Sequence, residues 1–430
     1  MVTELHSTVV QRMQWEQDVI VGIKILKVLA QTWRSSVTEE APPAWLLEGV
    51  PRLVMQLLSM RDCGDRIALC CLELGIEVLH GGNEFFQESL YAIMRDELLG
   101  APDLFAHLQD RLRRAEAEGR LSRRISFEAP AQKEALLNLI RIGKQRDLHG
   151  LVVQAAKNDP RLDTSHVGLV IRFLHLLCEG HNERLQNFLR AQQNSSRSVD
   201  MVSGIANYVD AVTPYINSRI VAEVTRAMSA LSEFVQNPCR PNQRVLVDTR
   251  LCACANEILG LEAHGEAELD EHAAHEHDDE DETLQHKTRM LRAKQERAEY
   301  QKQINELKAA TATTLLSLLE CVDQPYIPER MLVSLDSNRL IDNMNGLLKL
   351  YDPLLLIQLK DRHESGEFPL TISKHVLKPF EVLEETLESG ADEDAEKVAQ
   401  QYYITFITLA SFDKAKRLQV RSKVRLSMKR

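Results

Sequence analysis

Apolar positions along this chain recur at helical rather than strand spacing. Between Val167 and Gln193, Val170, Ile171, Leu174 and Leu177 follow a period near that of an α-helix. Glu179, Gly180, His181 and Asn182 interrupt the period, and Leu185, Phe188 and Leu189 resume it. The pattern predicts a helix, a corner and a second helix. Gly180 suits the left-handed residue that ends a helix, and Asn182 suits a cap whose side-chain oxygen accepts from the free N–H groups of the next one. An earlier stretch repeats the corner. After the apolar run at 69–79, Gly81, Gly82, Asn83, Glu84, Phe86, Gln87 and Leu90 align with Gly180, His181, Asn182, Glu183, Leu185, Gln186 and Leu189. The shared signature is G-x-N-E-x-[FL]-Q-x-x-L.

Two helix pairs with one corner chemistry predict repeats that bury their apolar faces against their neighbours. Glycine and proline are sparse, 18 and 14 residues of 430, and few stretches alternate with strand period. The expected fold class is therefore all-α, an armadillo-like helical solenoid of stacked antiparallel helix pairs. The first 34 residues predict one amphipathic helix or two, with Val19, Ile20, Ile23, Leu26 and Leu29 or Ala30 as the apolar face. Pro42, Pro43 and Pro51 punctuate the chain before a helix beginning at Leu53. A charged helix at 104–117 is expected to end near Gly119. Arg123, Arg124, Ile125 and Ser126 then fall in a predicted loop ending at Pro130, where Arg-Arg-x-Ser has the spacing of a basophilic kinase site. A plain basic loop meets the same spacing.

Helical signal is strongest over 133–261. An acidic run at 262–282 follows, with His264, His272, His275 and His277 among Asp278, Asp279, Glu280, Asp281 and Glu282. Its apolar content is too low to offset chain ordering, so disorder is expected, with at most loose capture of zinc. A charged helix at 287–308 leads into an apolar segment at 313–322, stopped by Pro325 and Pro328. Further helical units are expected at 347–359 and 376–387, an acidic turn at 391–396, and a basic amphipathic end at 414–430. That end reads as a solvated tail or as a segment for a partner helix, calmodulin or anionic lipid. The expected domains are N-terminal helical repeats (1–130), a helical domain (131–261), an acidic His-rich linker (262–285) and a C-terminal helical region with a basic tail (286–430).

Composition narrows the function. A net charge of -11 disfavours nucleic acid as a partner, because the phosphate backbone repels it. Eight cysteines, mostly inside apolar runs, read as reduced thiols of a cytosolic protein. No stretch is apolar for the roughly 18 or more residues of a membrane span, so no pore is expected in this chain. Phosphate-binding, dinucleotide, nucleophile-elbow, zinc-protease and EF-hand signatures are missing from the sequence. An enzyme is therefore not expected. Cys239, Cys252 and Cys254 have neither zinc-finger nor redox spacing and are expected to pack in helix faces.

One residue resists this structural reading. Glu179 stands at the predicted end of a helix, where the dipole favours a cation over a carboxylate. Water, a neighbouring Arg or a bound cation would compensate it.

Two segments, LLCEGHNERLQNFLR at 176–190 and ALSEFVQNPCRPNQ at 230–243, resemble the homology-associated domain shared by inositol trisphosphate receptors and ryanodine receptors. The run around Gly81, Gly82, Asn83 and Gln87 is similar to the inositol trisphosphate receptor in its upstream helical region. The resemblance covers residues 65–260. It implies part of an armadillo-like solenoid that couples ligand binding to a calcium-release pore, and an activating calcium site with carboxylates at Glu179 and Glu233 and with His181 and Gln236 beside them. Glu233 also lies near a predicted helix end, before Asn237 and Pro238, and carboxylates beside helix-end carbonyls suit calcium.

Two departures weaken that implied site. Gly180 stands where the family usually has Asn, and the spacing between the motifs is shorter here. The pore-proximal segment that completes the site, the pore helices and the β-trefoil ligand domain have no counterpart in this sequence, so calcium binding is expected to be weak. The chain reads either as part of a larger channel or as a free-standing relative without conduction. The expected function is a cytoplasmic coupling and calcium-sensing module, held at the endoplasmic reticulum face by other channel domains, subunits or protein partners. The alternative is an armadillo-like protein-interaction scaffold with no calcium role.

Overall fold

The computed structural model describes residues 2–36, 42–60, 63–97, 101–127, 164–262, 280–320 and 326–343, apart from Asn194, Ser196, Arg219, Ser337 and Ile341. These residues form helices and turns, with no strand among them. The helices are α1 (Val2–Ser36), α2 (Val50–Ser59), α3 (Asp65–Val78), α4 (Glu84–Ala92), α5 (Pro102–Phe127), α6 (Thr164–Cys178), α7 (Glu183–Arg190), α8 (Met201–Val212), α9 (Val221–Glu233), α10 (Arg240–Asp248), α11 (Leu251–Leu259), α12 (Glu280–Leu318) and α13 (Tyr326–Ser334). The expectations for 128–163, for 263–279 of the acidic run, for the helical units beyond 343 and for the basic tail lie outside the described residues.

Contacts divide the chain into two units, one of residues 1–215 and 229–250, the other of 216–228 and 251–430. In the first unit, α3 packs on α1 along one side and on α6 along another. Lys27 Nζ donates to Glu73 Oε2 at 2.8 Å and Gln31 Nε2 to Glu77 Oε2 at 2.9 Å. Partners that advance together on both helices mean that α1 and α3 run parallel. The same holds for α3 and α6. A Cβ on Gly75 would sit 2.8 Å from Phe173, and one on Gly82 3.0 Å from the Glu179 carbonyl oxygen. Gly75 thus leaves the space that the Phe173 ring fills, and the two helices approach closely. Helix α5 packs on α2, α6 and α8, and α8 packs on α7 and α10. Buried Leu72, Leu74, Phe105, Phe173, Leu174 and Tyr208 belong to this core.

In the second unit α11 packs on α12 and α13. Ile304, Leu307, Thr311 and Thr314 of α12 are fully buried. The threonines satisfy their hydroxyls on backbone carbonyls: Thr311 donates to Leu307, and Thr314 to Ala310 and to Met228. Asn256 of α11 fixes the end of α13, donating to the Ser334 carbonyl and accepting from the Asp336 N–H, both at 2.8 Å. Cys252 and Cys254 are buried in the α11 face, and the seven described cysteines are free thiols.

Several boundaries differ from the sequence reading. Residues 2–36 are one helix, and its buried face carries Ile20, Ile23 and Ala30, whereas Leu29 is exposed. The helix expected to begin at Leu53 starts earlier, because a wider π turn at Trp45–Gly49 runs directly into α2, with the Val50 N–H donating to the Trp45 carbonyl and Pro51 in the first turn of α2. The helix expected to end near Gly119 continues to Phe127 and includes Ser126. Gly119 lies among strong helix formers, and one interior Gly costs only about 1 kcal/mol. Glu280–Glu282 open α12, and Pro328 lies in the first turn of α13.

Candidate functional site

Both predicted corners are present. Gly81 and Gly82 have φ of 72° and 64°, and the aligned Gly180 and His181 have 81° and 65°. His181 thus holds a left-handed conformation that its counterpart Gly82 adopts freely. Asn83 Oδ1 accepts from the N–H groups of Phe85 and Phe86, and Asn182 Oδ1 from that of Leu185, so each asparagine caps its second helix.

A third corner joins α9 to α10, and the sequence reading missed it. Asn237 has φ of 75°, matching Gly180, and Cys239 occupies the cap position of Asn182 without a side-chain hydrogen bond to the helix. Of the signature, Gln243 and Leu246 keep their spacing. That Q-x-x-L pair was the available signal.

The glutamine explains why it persists. Gln87, in the first corner, is 1% exposed, and its Nε2 donates to the carbonyls of Leu176 at 3.0 Å and Glu179 at 2.8 Å, which end α6 in the second corner. Gln186, in the second corner, is likewise 1% exposed and donates to Glu233 at 2.6 Å and Gln236 at 3.1 Å, which end α9 in the third. Each glutamine therefore satisfies two helix-end carbonyls of the next corner. Asn182 Nδ2 donates to Gln87 Oε1 at 3.1 Å, and Asn242 Nδ2 donates to Gln186 O at 2.9 Å and Phe234 O at 2.8 Å. The corners are thus tied side chain to backbone, in order.

The two predicted carboxylates sit on this ladder. Glu179 follows the last residue of α6, and Glu233 is the last residue of α9. Glu179 Oε2 and Glu233 Oε2 are both buried without a hydrogen-bond partner. Burial pushes the Glu233 carboxyl above its ordinary pKa, His181 opposes that shift, and the neighbouring Glu179 charge adds to it. The two carboxylates therefore sense each other. His181 Nδ1 stands 3.6 Å from Glu233 Oε2. Burial lowers the pKa of the His175 imidazole, with Glu179 opposing and Arg172 reinforcing the shift. The fourth expected residue, Gln236, turns its Nε2 to Ser232 Oγ at 3.2 Å and gives its carbonyl to Gln186.

Buried carboxylate oxygens at helix ends that lack a hydrogen-bond donor suit a hard cation. Among the described residues, however, no three His, Cys, Asp or Glu side chains gather as a ligand set. The pair alone would leave most of a calcium coordination sphere to water or to other groups. No described helix is long and apolar enough to cross a membrane.

Comparison with known protein families reaches the same segment. Residues 162–259 match the family described as RyR and IP3R Homology associated. The inositol 1,4,5-trisphosphate receptor itr-1 of Caenorhabditis elegans is 26% identical over 252 residues, covering 46% of this chain and 9% of the receptor. The chain thus spans about a tenth of that relative's length. The matched segment carries the second and third corners and both carboxylates, so over residues 162–259 this chain is similar to the homology-associated region shared by the inositol trisphosphate and ryanodine receptors.

Proposed function

We propose that this chain is a non-enzymatic helical module of an intracellular calcium-release system, without a pore of its own, that couples neighbouring channel domains or subunits and senses calcium weakly at Glu179 and Glu233. The observation that carries this reading is the pair of buried carboxylate oxygens without a hydrogen-bond partner on successive corners. The parallel run of α1, α3 and α6, together with three like corners, supports an armadillo-like solenoid of stacked helix pairs. Such a stack suits coupling, because each layer touches only its neighbours and a shift in one is passed to the next. A cation between Glu179 and Glu233 would draw the second and third corners together and relieve the repulsion between the charges. The module acts in the cytoplasm, held at the endoplasmic reticulum face through its partners. Neither nucleic acid nor a membrane span of its own enters this function.

His181 favours a second reading. Its imidazole beside Glu233 supplies positive charge when protonated, and then no cation is needed. In that case the chain is an interaction scaffold with no calcium role. Thermal unfolding separates the two. Calcium that binds the folded state alone stabilises it by about 1.4 kcal/mol at ten times the dissociation constant. The calcium-sensing reading expects a rise in melting temperature with millimolar calcium and a smaller one with magnesium; the scaffold reading expects none with either.

A further inference from the structure

Helix α1 is apolar on two opposite faces. Ile20, Ile23 and Ala30 are buried on one, while Val21, Ile25, Val28 and Leu29 on the other are 53%, 55%, 59% and 46% exposed. A helix apolar all round is normally covered all round. The order of residues on the exposed face identifies the cover. Reading outward from Ile25 in both directions gives Gly22 and Val28, then Val21 and Leu29, then Asp18 and Thr32. The face is palindromic in character: apolar at its centre and polar at both ends. A two-fold, self-complementary contact requires this, since each residue must meet the partner of its own mirror position.

We propose that this face of α1 binds a second copy of the chain, α1 against α1 in antiparallel orientation, with Ile25 on the two-fold axis. Val21 then faces Leu29 of the partner subunit, and Gly22 faces Val28 of the partner subunit. A Cβ on Gly22 would meet nothing within 4 Å, so the surface there is an open notch that the opposing valine fills. Asp18 and Thr32 close the contact with polar groups at each end. Trp15, 43% exposed, extends the apolar area on one flank.

These side chains offer on the order of 450 Å² per chain, so that two copies with their flanking stems bury about 1,000 to 1,200 Å², the lower edge of specific interfaces. The dimer is therefore expected to dissociate in the micromolar range. Lys24 lies beside the axis and meets its own counterpart, which adds to that weakness and makes association stronger at higher salt.

Sedimentation of the full chain between about 2 and 200 µM tests this. The expected result is a mass rising from monomer towards dimer, and a monomer for Ile25→Glu with unchanged circular dichroism. If that variant fails to fold, Ile25→Cys replaces it. Mild oxidation should then give a disulfide linking position 25 of the two copies, identified by peptide mass. A wild-type chain that stays monomeric at the highest concentration would overturn the proposal. So would a dimer indifferent to Ile25→Glu, or an Ile25→Cys dimer with no such link.

Discussion

Replacing Gln186 by Leu would remove the amide that ties the second corner to the third while keeping most of the side-chain volume. Gln186 is almost fully buried, and its Nε2 is shared between the carbonyls of Glu233 and Gln236. A buried acceptor that loses its partner costs about 1–3 kcal/mol, so two together should cost about 2–6 kcal/mol where both stay dry. The loss should be local, because the carbonyls lie in the turn that follows α9. Native-state hydrogen exchange is the suitable assay, since it resolves local opening in a chain of two units where one global unfolding energy is not well defined. The amides of Val235 and Gln236, which donate to the Ser232 carbonyl, and that of Cys239, which donates to Val235, should report it. At about 1.4 kcal/mol per tenfold, their exchange should accelerate by roughly 30-fold to about ten-thousand-fold. The N-terminal amides of α3 should keep their rates. An acceleration below about threefold in all three reporters would refute the reasoning, because it would mean that these bonds are replaced by water without loss.

Gly82→Ala should destabilise the first unit more than Gly81→Ala, although both have left-handed backbones, because only the Gly82 Cβ would meet the Glu179 carbonyl oxygen and side chain. A difference of about 1 kcal/mol or more is expected in chemical denaturation. Glu233→Gln in calcium-free buffer should stabilise the fold at neutral pH. The folded-state pKa of this carboxyl is raised, so folding takes up a proton between the unfolded and folded pKa values, and stability falls as pH rises through that window. The variant should lack this fall, as melting curves between pH 4 and 7 would reveal. Alkylation at pH 8 should modify the half-buried Cys63 and Cys70 long before Cys252, whose thiol is pushed up to about 12 by burial. Peptide mass spectrometry would measure the order.

The first two corners are legible because their backbones admit few residues. A left-handed residue followed by a capped helix selects Gly and Asn, and Gly81–Asn83 and Gly180–Asn182 supply both. The third corner shares one left-handed residue and the glutamine, but Asn237, Pro238 and Cys239 disguise it, and of the signature only the Gln243–Leu246 spacing survives. Periodicity leaves α1 open for a related reason. With apolar residues on both faces, the pattern cannot choose between Leu29 and Ala30, and it is Ala30 that lies on the buried face while Leu29 is exposed. Gly119 was read as a stop, yet a lone glycine among Ala, Glu and Arg is too weak a breaker to end α5. That Glu179 and Glu233 share one electrostatic environment was not available from local spacing at all. It depends on α6 and α9 ending in neighbouring corners, a relation set by Gln186 across nearly fifty residues of chain.

Calorimetric titration of calcium into the intact chain, with Glu179→Gln and Glu233→Gln alongside, tests the proposed function most directly. The account predicts weak, saturable binding to the wild type, lost in both variants while their helical content is unchanged. Identical heats in all three proteins would contradict it and leave the corners as structural joints alone.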